Sequence, residues 1–487
     1  MHRYLLVLVL VLLSLPLGPV QTLALDGADG EGEASVATAA RTLTRTVDPV
    51  IVQGKELPGM SGRPLASLRA FALRDGRLEA IPYQIDEFDE KGRITCPEGK
   101  DPRKDEDEGH LDSNDEVVVM AADLGDKAPR RIFPRDARAA SEVRVQDPTS
   151  GTQAWFYVFD FDSPPPPSPV EYVQYDPTED KASSDLYLVD FNERRSILLD
   201  DMRIKGKDGK LGVNIIDRIK VRTWFKSRIF ITFKFNEEDI TSHVTAHKNG
   251  PIRSVRSADY FLKLLFIKVT PSAHVDYLFY RNAIVGPGEL KVPFNPKLVL
   301  RGGSRAVTGL DFDEAVRGWQ FYSARNPNPI VLDGINKTGD GLEKKDVNWF
   351  ALFGEEGGTM TRVVYGPSIL KAKQGYDLYY VDDLDQDGSP ERTKGETMFG
   401  FTMDLLKLPR GAHQLWFYQY FASPFTMGDE VKFNDILDHA LEPRALAVSV
   451  PRDGMATPSA AGSDPGENGE ALPAHGGKAG EAADREG

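Results

Sequence analysis

Apolar and polar residues alternate along Ile219-Lys-Val-Arg-Thr-Trp-Phe225, Ile229-Phe-Ile-Thr-Phe-Lys-Phe235, Tyr260 to Val269 and Val275-Asp-Tyr-Leu-Phe-Tyr280. A period of two puts one set of side chains on each face of an extended segment, which predicts half-buried strands. Upstream, Leu68-Arg-Ala-Phe-Ala-Leu73 and Leu78-Glu-Ala-Ile-Pro-Tyr-Gln-Ile85 flank Arg74-Asp75-Gly76-Arg77. Asp-Gly there supplies the positive φ angles that a tight hairpin needs. Glu116 to Ala121 and Ala154 to Phe161 add two further strands. Aromatic and β-branched residues in short, evenly spaced runs predict a mainly β chain of antiparallel sheets stacked as sandwiches. One segment changes period: Phe433, Ile436, Leu437, Ala440 and Leu441 make a single helical face, so one short C-terminal helix is expected, ending near Pro443.

The strongest punctuation is Ser163-Pro-Pro-Pro-Pro-Ser-Pro169, a stiff spacer without backbone donors over its prolines. It divides an N-terminal β-sandwich, residues 41–162, from a larger one, residues 170–450. Residues 25–40 and 451–487 are too poor in large apolar side chains to offset chain entropy and are expected to be disordered. The start, with its basic residue, apolar run from Tyr4 to Leu15 and small-residue site at Ala24, has the order of a secretory signal peptide over residues 1–24. The run is shorter than the roughly 20 residues that span a bilayer, so a periplasmic or secreted protein without a transmembrane anchor after cleavage is expected.

Composition narrows the class. The 487 residues are 40% hydrophobic and 27% charged, with 44 Gly, 33 Pro and one Cys, which excludes a collagen, a wholly disordered chain and a disulfide-stapled domain. Cys96 is the only thiol, so no intramolecular disulfide forms and the core itself must hold the fold. A net charge of -15 argues against nucleic acid as a partner. Between Asp86 and Asp126 there are 15 acids against 5 bases, so the acidity is concentrated in one stretch.

That concentration directs attention to cations. Asp383, Asp385 and Asp387 alternate before Gly388, with Glu391 four residues beyond Asp387. Alternate carboxylates converge on a hard ion while the glycine permits a sharp turn, so calcium is expected at Asp383, Asp385, Asp387 and Glu391. The alternative is a turn carrying only solvated charge. Asp86 to Glu90, Asp105 to Glu108 and Asp112 to Glu116 form a second acidic set whose two ends adjoin strands and can meet across a sheet edge. His243 and His247, read as strand residues, would share a face but stand about 13 Å apart, too far for one zinc ion.

Catalytic signatures are few: the chain has no G-x-S-x-G elbow, no H-E-x-x-H and no glycine-rich phosphate loop. A carbohydrate site is the better expectation, built from Arg253, Arg256, Tyr277, Tyr280, Arg281, His413 and Trp416. Aromatic faces stack on sugar rings, Arg clamps carboxylates, and Tyr or His serves as acid or base. Core packing of aromatic strands is the competing explanation for the same residues.

Ile81-Pro-Tyr-Gln-Ile-Asp86 and Asp112-Ser-Asn-Asp-Glu-Val-Val-Val-Met-Ala-Ala-Asp-Leu-Gly125 resemble a module of uncharacterised exported bacterial β-sandwich proteins. Asn249-Gly-Pro-Ile-Arg-Ser-Val-Arg256 looks like the strand entry of galactose mutarotase-type β-sandwich domains. That distant resemblance implies a sandwich fold and, because some such proteins act on polysaccharides, leaves two functions open. One is a noncatalytic carbohydrate- or envelope-binding protein. The other is a polysaccharide lyase or sugar epimerase-like enzyme.

Overall fold

The computed structural model describes residues 38–451, apart from 265–266, 269–272, 293, 336–338 and 389–392. The leader, most of the 25–40 linker and the tail beyond 451 lie outside the described residues. Within them the protein is mainly β, and its strands pair antiparallel in five sheets.

Two sheets enclose the first core. Pro49–Gln53, Glu116–Met120 and Gln84–Asp86 make one, and Glu442–Val448, Ala137–Gln146, Gln153–Phe161, Leu68–Arg74 and Arg77–Ala80 make the other, in those orders. Val50, Val52, Val117, Val119, Leu68, Ala70, Val143, Phe156 and Val158 meet between them. Alternate positions of each strand thus face inward, as the two-residue period requires. The turn at Asp75 and Gly76 has φ of 47° and 75°, the geometry expected of that hairpin.

A larger core lies beneath an eleven-stranded sheet. One side of it packs against a five-stranded sheet ordered Thr232–Phe235, Ile216–Lys226, Arg305–Phe312, Thr393–Asp404 and Asp377–Gly388, and against a four-stranded sheet spanning Val173–Ile204. Phe279, Phe321, Phe350, Phe399 and Phe401 fill the space between. The other side of the eleven-stranded sheet buries Tyr322, Met360 and Tyr420 under the helix Asp429–Asp438, where Phe433 stacks on Tyr420 at 4.7 Å.

Three local differences from the sequence expectations have physical causes. The helix stops at Asp438, and Pro443 lies inside the strand Glu442–Val448, which joins Ala137–Gln146 at a sheet edge where its missing N–H is tolerated. The last strand of the larger piece therefore completes the sheet of the smaller one. The alternation beginning at Ile229 starts as a turn, with strand only from Thr232. A register shift between Val244 and Ala246 reverses the strand's parity, pairing His243 with Asp259 and His247 with Arg256.

Candidate functional site

A cavity of about 310 Å³ opens between the eleven-stranded and five-stranded sheets. Its lining follows from strand periodicity: Ile219, Val221 and Thr223 on one strand, Ala306, Thr308 and Leu310 on the next, then Leu415, Phe417 and Gln419 across the gap. The space exists because the strand Ala283–Val292 presents Gly286 and Gly288 at two inward positions where its neighbours carry bulk. A Cβ on Gly288 would come into ordinary contact with Leu415 at 3.4 Å, and one on Gly286 would press on the Tyr277 ring at 3.0 Å, so these two glycines let the facing side chains approach the strand. Ile219, Val221 and Leu290 remain partly exposed, so the cavity reaches the surface.

Three hydroxyls of the lining are bonded within the protein. Tyr277 donates its hydroxyl to the Ile197 carbonyl at 2.7 Å, Tyr260 to the Glu289 carbonyl at 3.1 Å, and Thr361 Oγ1 to Gln419 Oε1 at 2.8 Å. Burial pushes the Tyr277 hydroxyl up to about 12, so it stays a neutral donor. The sequence signal for this site was Gly-Pro-Gly inside a strand, a pattern that marks close approach or vacant space.

A second concentration of polar groups lies where the N-terminal piece meets the eleven-stranded sheet. Asp86 and Glu116 pair across the strands Gln84–Asp86 and Glu116–Met120, so the two ends of the acidic stretch do come together at a sheet edge. What they hold is Arg253. Its guanidinium donates to Asp86 Oδ2 at 2.6 Å, Glu116 Oε2 at 2.7 Å and the Tyr280 hydroxyl at 2.9 Å. Lys248 Nζ lies 2.7 Å from Asp86 Oδ1. Burial alone would raise the Asp86 carboxyl, but Arg253 and Lys248 bring it down to about 2.

Nearby, His274 Nδ1 is 2.7 Å from Asp259 and Nε2 is 2.9 Å from Asp276. Burial opposes the charged ring, yet Asp276 and Asp259 raise its affinity for a proton. Arg103, from the acidic stretch, donates to Asp276 at 2.9 Å and to Ser257 at 2.9 Å, and Cys96 is buried beside them. Both sets dock the N-terminal stretch on the sheet.

The remaining expected residues are dispersed. Arg256 is buried, bonded to both Asp180 oxygens at 2.6 Å, with its guanidinium 3.7 Å from the Phe191 ring centre. Arg281 pairs with Asp185 at 2.7 Å on the exterior. His413 is buried between Ser368 Oγ at 3.0 Å and the Pro409 carbonyl at 2.7 Å. Trp416 packs half-buried beside the layer under the C-terminal helix. Of the expected set, the structure brings Arg253 and Tyr280 into contact and places Tyr277 at the cavity, but assembles no single cleft from all seven.

Asp383 is half-buried and accepts the Asp385 amide at 2.9 Å, while Asp385 itself is exposed. Asp387 pairs with Lys394 through the backbone of the hairpin, and Glu391 lies outside the described residues. Their neighbour Asp382 is the buried member, taking the amides of Asp333 at 3.0 Å and Gly334 at 2.9 Å. Among the described residues, Asp105, Asp107 and Asp112 bring carboxylate oxygens within 4.8 Å of one another. Burial, with Asp112 and Glu87 nearby, pushes the adjacent Asp115 carboxyl up to about 7.

No family model and no curated protein matches the chain. Among solved structures it is similar to an α-mannosidase from Enterococcus faecalis V583, with 9% identity, a TM-score of 0.42, and coverage of 85% of this chain and 46% of that one. A glycosyl hydrolase family 38 protein from Enterococcus faecalis gives 9% identity and a TM-score of 0.40, covering 86% of this chain and 47% of that one. A β-arabinopyranosidase gives 10% and 0.22, covering 51% and 40%. The chain spans slightly less than half the length of the two Enterococcus faecalis proteins. At these identities and TM-scores none of the three establishes a family, a galactose mutarotase link or an activity for this chain.

Proposed function

We propose that the chain is an exported, noncatalytic binding protein for an envelope component, and that the part of the ligand it encloses is hydrocarbon. A sugar or phosphate headgroup would stay at the mouth. The observation carrying this is the 310 Å³ cavity between the sheets, lined at alternate positions by apolar side chains and reaching the surface. Concave sites of about this size lined mainly by apolar side chains take ligands through apolar contact. A bare sugar needs donors and acceptors to replace its lost water, and the hydroxyls of Tyr277, Tyr260 and Thr361 are already engaged. The noncatalytic part is supported by Tyr280 and His413, the other candidate acids and bases, being tied into the fold by Arg253, Ser368 and Pro409.

The test is displacement of a fluorescent fatty acid from the purified protein, with soluble oligosaccharides as a parallel arm. Saturable uptake is expected, weakened at least about tenfold in Gly288→Leu and Ala306→Phe, which fill the cavity while keeping the β circular dichroism spectrum. Absence of saturable uptake, uptake unchanged in both filled variants, or turnover of an oligosaccharide would refute the proposal.

A further inference from the structure

The three most exposed large apolar side chains among the described residues lie at one end of the five-stranded sheet: Phe230 at 80%, Ile229 at 74% and Leu298 at 72%. They come from two segments joined through the backbone. Arg228 N–H donates to the Val299 carbonyl at 2.9 Å and Arg301 N–H to the Lys226 carbonyl at 2.8 Å, so the hairpin turn and the short helix Pro296–Val299 form one tip. Ile231, Phe233, Phe294 and Val299 extend its exposed hydrocarbon. Phe230 has a φ of 66°, a region where a bulky residue is strained and a glycine or asparagine would be ordinary. An aromatic ring is thus held outward at the position where a simple turn would carry a small residue.

The charge around the tip is the second observation. Residues 223–234 and 293–305 hold six Lys or Arg and no Asp or Glu, in a chain whose net charge is -15. Arg228, Lys234, Lys297 and Arg305 are exposed. Arg301 lies 5.4 Å from the Phe230 ring centre and Arg305 4.7 Å from that of Trp224, so cations and aromatics are interleaved. Exposed hydrocarbon ringed by cations, with a tryptophan at its base, is the chemistry that enters the headgroup region of an anionic bilayer.

We propose that this tip docks the protein on a membrane surface bearing anionic headgroups, with Phe230, Ile229 and Leu298 inserted and the cations at the phosphate level. Among the described residues no helix is long and apolar enough to cross a membrane, and the proposed contact is made by the side chains of the tip. A second copy of the chain is a poorer occupant, because a twofold contact would set six like charges against six. The inference holds independently of what the cavity binds.

Co-sedimentation of the full chain with phosphatidylcholine vesicles, with and without about one third phosphatidylglycerol, tests it. Binding is expected with the anionic vesicles, weaker with the neutral ones, and falling as salt rises. Phe230→Asp with Leu298→Asp should weaken it at least about tenfold, and so should Arg228→Glu with Lys297→Glu, whereas Val170→Asp elsewhere on the surface should not. All of these positions are exposed, so the variants should melt as the parent does. No binding at low salt, equal binding to neutral vesicles, or binding unaffected by both double variants would overturn the proposal. So would a dimer, detected by sedimentation, that Phe230→Asp with Leu298→Asp dissociates while vesicle binding is absent.

Discussion

Arg253 is 2% exposed and charged, so its surroundings must replace the water it has lost. Asp86, Glu116 and Tyr280 do this, and removing one partner leaves a buried charge uncompensated. Asp86→Asn should therefore lower the unfolding free energy by about 3 kcal/mol, read as a reduced urea midpoint at unchanged slope. The pH dependence has a definite sign. A carboxyl held at about 2 in the folded protein, below its usual value, contributes stability above the usual value and loses it as pH falls from about 4 towards 2. The loss amounts to about 2 kcal/mol and should be absent in Asp86→Asn. Asp115 behaves oppositely. Its raised carboxyl contributes fully below the usual carboxylate value, and the contribution disappears as pH rises through about 7. Protection of the amides in residues 87–115, corrected for intrinsic base-catalysed exchange, should accordingly fall between about pH 4 and 7, and this fall should be lost in Asp115→Asn.

At the scale of elements, features governed by local chemistry were legible and those made by vacancy or by crossing the whole chain were not. Asp75-Gly76 and a short helix carrying Phe433 and Ile436 were legible because turn geometry and a 3.6-residue period are written into neighbouring residues, whereas Ala440 and Leu441, counted on the same face, lie beyond its end at Asp438. Gly76→Ala should cost about 1 kcal/mol, since alanine adopts a φ of 75° poorly, and thermal unfolding would measure it. The cavity was not foreseen, because Gly286 and Gly288 act through side chains they lack, and only the facing strands reveal that the space stays open. The bulge before Ala246 leaves no periodic mark, yet it separates His243 from His247. Arg253 was singled out for good reason, as an arginine among aromatics and acids. Its partners proved to be Asp86 and Glu116, more than 130 residues earlier, a pairing that no local window contains.

Across the whole molecule, the two pieces separated by the proline spacer are tied together at several points. Tyr172 donates its hydroxyl to Asp123 at 2.9 Å, Arg45 reaches the His439 carbonyl at 2.6 Å, and Glu98–Gly99 adds to the eleven-stranded sheet. Cleavage within residues 163–169 should therefore leave the two fragments associated on a sizing column, separating only in denaturant. Glu442–Val448 pairs along seven residues with Ala137–Gln146, and Leu441 and Ala445 pack on the first core. A chain ending at residue 441 should melt lower and aggregate through the bared edge of Ala137–Gln146. That closing strand also sets an order of events. Synthesis supplies the N-terminal sheet first, but its edge partner emerges some 300 residues later, so the nascent chain carries an unprotected β edge for most of its production. Until the last strand arrives, that edge is the stretch of the chain most open to wrong pairing.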